Sequence, residues 1–152
     1  MRPPSPATLA GTEKYSAARQ HNHPDCWVCA PDNNKGLAIN FHPESDGVVG
    51  EFACGVDFTG YPGLLHGGVT SALLDGAMTN CLLAHAVPGL TARLEIRYLK
   101  PVRIGRTAVV RAWLESSRGR LHLLAAELRQ DGDLLVTAKG RFMDLPTAPI
   151  NP

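Results

Sequence analysis

The sequence predicts an α+β domain in which a curved antiparallel sheet wraps around one long central helix. Three observations carry that expectation. Residues 67–86, GGVTSALLDGAMTNCLLAHA, contain no proline and are apolar on nearly every face, which suits a helix of about five turns that the rest of the chain must cover. Four segments after it read as strands joined at glycine-containing turns, and two segments before it read as a hairpin. With a single apolar helix to bury, one sheet folded around it meets the burial demand.

Taken in order, residues 1–20 and 145–152 are rich in Pro, Ala, Ser and Thr and lack apolar periodicity, so they read as loosely ordered tails around one domain at 21–144. The runs 36–41 and 48–54 are short and apolar, and His42 to Gly47 between them carries Pro and Asp-Gly turn chemistry. Residues 56–65 contain Gly60, Pro62 and Gly63 and must be a loop. Pro88-Gly89 closes the helix, and strands are expected over 91–100, 106–115, 120–130 and 133–143. In the first of these, Leu94, Ile96 and Tyr98 alternate with Arg93, Glu95 and Arg97, the period of a sheet with one buried face. Asp131-Gly132 is a strong hairpin signal. The predicted order is β-β-α-β-β-β-β.

Composition narrows the function classes. With 15 Lys+Arg against 14 Asp+Glu in 152 residues the chain lacks the basic excess of a nucleic-acid-binding protein. Asp75, Asn80 and His85 interrupt the longest apolar stretch, which argues against a membrane span. The first residues lack the apolar core of a secretory signal, and four scattered cysteines do not form a disulfide framework. The expected compartment is the cytoplasm.

Asp75 is the only acidic residue between Asp57 and Glu95, and it lies inside the most apolar helix. A carboxylate there is paired, has a raised pKa, or performs chemistry. Hydroxyls at i−4 and i+4, Ser71 and Thr79, are the structural alternative. At the start of the same helix, His66-Gly67-Gly68 places free backbone N–H groups and the positive end of the helix dipole where glycines let a ligand approach. That is either an oxyanion site or a tight glycine turn with a histidine cap. Together with the isolated Asp the pattern suggests acyl transfer. Gly67 and Asp75 are separated by about 12 Å along one helix, at 1.5 Å per residue, so a single carbonyl cannot touch both. Two antiparallel helices from two chains could bring them together, which predicts a dimer.

These residues carry a family resemblance. GYPGLLHGGVTSALLDGAMTNCLL followed by TARLEIRYLKPVRIG resembles the hotdog-fold acyl-CoA thioesterases of the phenylacetyl-CoA thioesterase branch, in the HGG, the Asp nine residues after the His, and the Tyr-x-x-Pro from Tyr98 to Pro101. The opening stretch CWVCAPDNNKGLAINF is similar to that of some members. The resemblance spans residues 26–143 and implies a dimer, or a tetramer of dimers, with active sites across the subunit interface. It implies that Asp75 is nucleophile or general base, that the Gly67 N–H polarises the thioester carbonyl, and that His66 helps to place it. Thr91 falls where related enzymes carry a Ser or Thr that hydrogen-bonds the attacking water or the carboxylate. Gly60, six residues before His66, departs from the pattern, since better-studied members carry Asn there.

The expected partner is acyl-CoA, hydrolysed with water and neither metal nor organic cofactor. Arg97, Lys100, Arg103 and Arg106 cluster around one turn, as candidate phosphate contacts or as a charged strand edge. Gly68, Leu65 and Met78 complete the candidate substrate contacts, with Leu64 and Leu82 as further lining, although the apolar ones are equally core residues. His21, His23, Cys26 and Cys29 contain a zinc ligand set, but a lone Cys-x-x-Cys with two histidines only two apart is a weak signal, and no metal is assigned. Two other classes remain on the same fold: a non-catalytic acyl-CoA-binding or scaffold protein, and a hydratase, which would need a second acid or base beside His66.

Overall fold

The computed structural model describes residues 11–146. Its order is α1 (Thr12–Asn22), β1 (Phe41–Glu44), β2 (Gly47–Ala53), a short 3-10 turn (Val56–Phe58), α2 (Gly67–Ala84), β3 (Gly89–Tyr98), β4 (Thr107–Arg118), β5 (Leu121–Gln130) and β6 (Asp133–Asp144). All six strands form one antiparallel sheet in the order β1-β2-β4-β5-β6-β3.

The central helix is as deeply enclosed as its composition requires. Leu73, Leu74, Ala77, Met78, Cys81 and Leu82 are all fully buried, and Val110, Leu124, Leu128, Val136 and Phe142 of the sheet are buried with them. Burying each large aliphatic side chain contributes roughly 1.5–3 kcal/mol, so this helix and sheet face form the principal core. Among the described residues no helix is long and apolar enough to cross a membrane.

The Asp131-Gly132 turn joins β5 and β6 with positive φ at both residues, 51° and 85°, which matches the twist of the flanking strands. The first hairpin differs from expectation. Residues 36–40 lie outside the sheet and β1 begins at Phe41, because Leu37 and Ile39 donate their N–H groups to the carbonyls of Trp27 and Val28 instead of to a strand. Pro43 is tolerated in β1 because that strand lies at the sheet edge.

A second correction concerns the N-terminal tail. Residues 12–20 belong to α1, an exposed helix with one buried side chain, Tyr15, whose hydroxyl donates to Asn80 Oδ1 at 2.8 Å. A single docking residue leaves no apolar stripe to read. The rest of the expected N-terminal tail, residues 1–10, and residues 147–152 of the C-terminal one lie outside the described residues.

Strand β3 occupies the far edge of the sheet and pairs only with β6. Its alternation is realised in part: Leu94 and Ile96 pack against the core, whereas Tyr98 is 54% exposed. A bulge between Thr91 and Arg93 interrupts its register.

Candidate active site

The start of α2 is organised around Gly67. His66 is the N-cap, and its Nδ1 accepts the Gly68 N–H at 2.9 Å. A ring nitrogen that accepts carries no proton, so the neutral imidazole bears its hydrogen on Nε2. The Gly68 N–H is therefore committed to the cap and cannot serve a ligand. Gly68 is nonetheless a tight position, where an added Cβ would stand 3.0 Å from His66 Nδ1. The Gly67 N–H has no acceptor among the described residues. In the next peptide unit, the hydroxyls of Ser71 and Tyr98 reach the Gly67 carbonyl at 3.0 and 2.9 Å and lie 2.7 Å from each other. Ser71 and Tyr98 thus pin the first turn. Tyr98 does so from a strand 31 residues away, a role that its place in the Tyr-x-x-Pro pattern did not disclose.

A cavity of about 560 Å³ opens beside this turn, bordered by Gly60, Leu65, His66, Gly67, Tyr98 and Val102 among others. Its walls are mainly apolar side chains and the peptide backbone. Gly60 contributes no amide to it, and an added Cβ there would stand 3.1 Å from the His66 Cα. Met78 does not reach this cavity: it lies on the inner side of α2, fully buried, with its sulfur close to Gly140. It is a core residue, because its position on α2 faces the sheet.

Asp75 lies two turns farther along α2 and does not border the cavity. Neither i±4 hydroxyl satisfies its carboxylate: Thr79 donates to the Asp75 carbonyl and Ser71 to that of Gly67. Its partner is Thr91, whose Oγ1 donates to Asp75 Oδ1 at 2.7 Å. The β3 bulge adjoins Thr91, a device that re-aims side chains. Burial raises the Asp75 pKa above the ordinary carboxylate range, the Thr91 bond opposes that shift, and the charges of Cys26 and His23 act on it in opposite directions.

The four cations separate. Lys100, Arg103 and Arg106 line a second, smaller cleft, and Lys100 also borders the Gly67 cavity. Arg106 is paired with Asp131 at 2.6 Å. Arg97, on β3, borders neither.

His122 gained partners that the sequence left unnamed, Ser117 Oγ at 2.8 Å and Asp144 Oδ1 at 2.6 Å. These three sit on paired strands at the β4–β5–β6 end of the sheet, away from the Gly67 cavity. Cys54 and Cys81 are buried thiols whose pKa values burial pushes up, that of Cys81 to about 12, as suits inert core residues.

One long helix wrapped by a six-stranded antiparallel sheet, with a glycine-rich helix start and a lone half-buried Asp, defines a hotdog-fold domain. The E. coli PaaI protein shares that architecture at a TM-score of 0.76, with 14% identity over 90% of this chain and 97% of that one. A family model described as the thioesterase superfamily matches residues 62–137, half of the sequence, and the chain belongs to that superfamily.

Among curated proteins it is similar to acyl-coenzyme A thioesterase THEM4 of Bos taurus, 33% identical over 96 residues that make up 62% of this chain and 39% of that protein. It is also similar to acyl-coenzyme A thioesterase 13 of Homo sapiens, 28% identical over 62% of this chain and 69% of that protein. The match to THEM4 of Mus musculus covers only 30% of that protein, so the chain spans about a third of the THEM4 relatives. A crystal structure described as a thioesterase superfamily protein superposes with a TM-score of 0.73 at 30% identity, covering 76% of this chain and 61% of that one.

Proposed function

We propose that this chain is an acyl-CoA thioesterase whose active site is completed by a second copy of itself. The observation that carries the reading is the division of labour along α2: an unpaired Gly67 N–H beside an apolar cavity, and a Thr91-bonded Asp75 two turns away that the cavity does not contain. The names of the curated relatives support the same substrate class.

The chemistry follows from the groups. The thioester carbonyl oxygen accepts from the Gly67 N–H, where the helix dipole favours the negative charge that develops on attack. His66 Nε2–H, on the same turn, is available as a second donor. Asp75 of the partner copy takes a proton from water as it adds to the carbonyl carbon, and Thr91 holds the carboxylate in place. The carbon–sulfur bond then breaks, and the CoA thiolate leaves and is protonated, giving a free acid and free CoA. Direct attack by Asp75, through an anhydride, uses the same geometry. Lys100, Arg103 and Arg106 stand at the cleft adjoining the cavity, placed to receive phosphates. The assembly is a homodimer or a tetramer of dimers, and four free cysteines suit a reducing, cytoplasmic setting.

Gly60 favours one other reading. A cavity without a carboxamide beside His66 suits a protein that binds acyl-CoA without turning it over. Thiol release from a panel of short, long and aromatic acyl-CoA esters separates the two. Turnover on any member supports the hydrolase, and saturable binding with no turnover supports the binding protein.

A further inference from the structure

Three side chains that the proposed hydrolysis does not use converge against the middle of α2. They are His23, Cys26 and Cys29, on the segment after α1, and their ligand atoms all lie within 4.8 Å of one another. His23 Nδ1 stands 4.0 Å from Cys29 Sγ. A tetrahedral zinc with bonds of about 2.0–2.3 Å holds its ligand atoms roughly 3.3–3.8 Å apart, so small side-chain rotations close the set.

The backbone already holds these groups in place. Cys29 N–H donates to Cys26 Sγ at 3.4 Å, and Ala30 N–H donates to the Cys26 carbonyl at 3.0 Å, so the Cys-x-x-Cys turn is closed with both sulfurs on one side. The N–H groups of Leu37 and Ile39 bond the carbonyls of Trp27 and Val28 and brace the turn from behind. Gly36 makes that brace possible, since a Cβ there would stand 2.2 Å from the Trp27 carbonyl oxygen. Val28 seats the turn on α2 at Gly76, where a Cβ would lie 2.5 Å from its Cγ1. His21, the remaining candidate of the sequence motif, is exposed on α1 and outside the cluster.

We propose that His23, Cys26 and Cys29 bind one zinc ion through Nδ1 and two sulfurs, with water in the fourth position, and that the ion locks the Cys-x-x-Cys turn that Val28 seats on α2. Two thiolates and an imidazole select a borderline-soft ion of the zinc type over magnesium or calcium. Both sulfurs bind as thiolates, any thiol proton passing to solvent, and the imidazole is neutral with its hydrogen on Nε2. A shallow cleft lined by Asn22 to Cys26 leaves room for the water.

The test uses the full chain purified without a histidine tag. Elemental analysis should find about one zinc per chain, and cobalt(II) replacement should give thiolate charge-transfer absorption with the intense visible bands of a tetrahedral site. Cys26→Ser and His23→Asn, at half-buried positions, should weaken zinc binding more than about tenfold and alter the cobalt spectrum. Cys29→Ser should do the same if it folds. No retained or restorable zinc, an octahedral cobalt spectrum without thiolate bands, or unchanged affinity in both half-buried variants would overturn the proposal. So would a Cys26–Cys29 disulfide that persists in a reducing buffer and excludes zinc. None of these readouts depends on thioester turnover, so the metal site and the hydrolase reading can fail separately.

Discussion

Replacing Thr91 by Val removes the hydroxyl from Asp75 and leaves a side chain of nearly the same shape, so the variant isolates one hydrogen bond. That bond is 2.7 Å long and ends on a carboxylate oxygen. A hydrogen bond to a charged group contributes about 1.5–3 kcal/mol, and because Thr91 is exposed, water replaces part of it. A loss of about 1 kcal/mol corresponds to somewhat less than one pKa unit. The sign is fixed by the two opposing effects: burial raises the Asp75 pKa and Thr91 lowers it, so the variant raises it further.

A general base must be ionised, so the acid limb of kcat/KM against pH should move upward by about half to one unit. Well above that limb much of the rate should return, and Thr91→Ser should restore the wild-type profile. Stability carries the matching sign. The contribution of a carboxyl whose folded pKa is raised is fully present below the unfolded pKa and is lost as pH rises through the folded value, so the variant's stability deficit relative to wild type should be largest where Asp75 is ionised and shrink as pH falls. Thiol release measured across pH reads the limb directly. A downward shift, or an unchanged limb with a uniform loss of kcat, would refute the assignment of Thr91 to the Asp75 carboxylate.

Other perturbations probe the helix start and the shared site. Gly67→Val places a branched side chain against Tyr98, whose hydroxyl stands 3.7 Å from an added Cβ, and should lower kcat/KM by about 10²-fold as the side chain blocks the carbonyl's approach to the backbone N–H. Mixing that variant with Asp75→Asn, under conditions where subunits exchange, should restore about one quarter of wild-type activity, because half of the dimers then carry one intact site. No recovery after demonstrated exchange would place both groups in one chain's site. Tyr98→Phe removes a hydroxyl from the Gly67 carbonyl and should cost about 1 kcal/mol, a fall in Tm of about 2–4 °C by calorimetry, with a larger proportional loss in kcat than in substrate affinity.

What could be read in advance was whatever a local pattern encodes. The apolar α2, the Asp-Gly hairpin and the alternation after Pro88 are repeats of residue type, and sheet and helix followed from them. Asp75 was conspicuous because a lone carboxylate in an apolar helix is chemically anomalous. Contacts between distant segments were not legible in this way. Tyr15 anchors α1 through one bond to Asn80, and one residue makes no periodicity. Residues 36–40 look like a strand but hydrogen-bond the Cys-x-x-Cys turn, and nothing in their own composition names that partner. Leu65 and Met78 are equally apolar on paper, and only the fold puts one beside the cavity and the other in the core. Thr91 was picked out by family resemblance, and its aim at Asp75 depends on a bulge that the alternation of β3 does not show.

The central claim is that Asp75 carries the hydrolysis of acyl-CoA. Asp75→Asn keeps the size of the side chain and an oxygen that accepts from Thr91, so the fold and the bond survive while the base is lost. Wild type and variant, assayed side by side for thiol release on the best acyl-CoA ester, should differ in kcat by at least about 10²-fold, with binding of a non-hydrolysable thioether analogue changed by less than about threefold. Turnover by the variant within about tenfold of wild type would contradict the account.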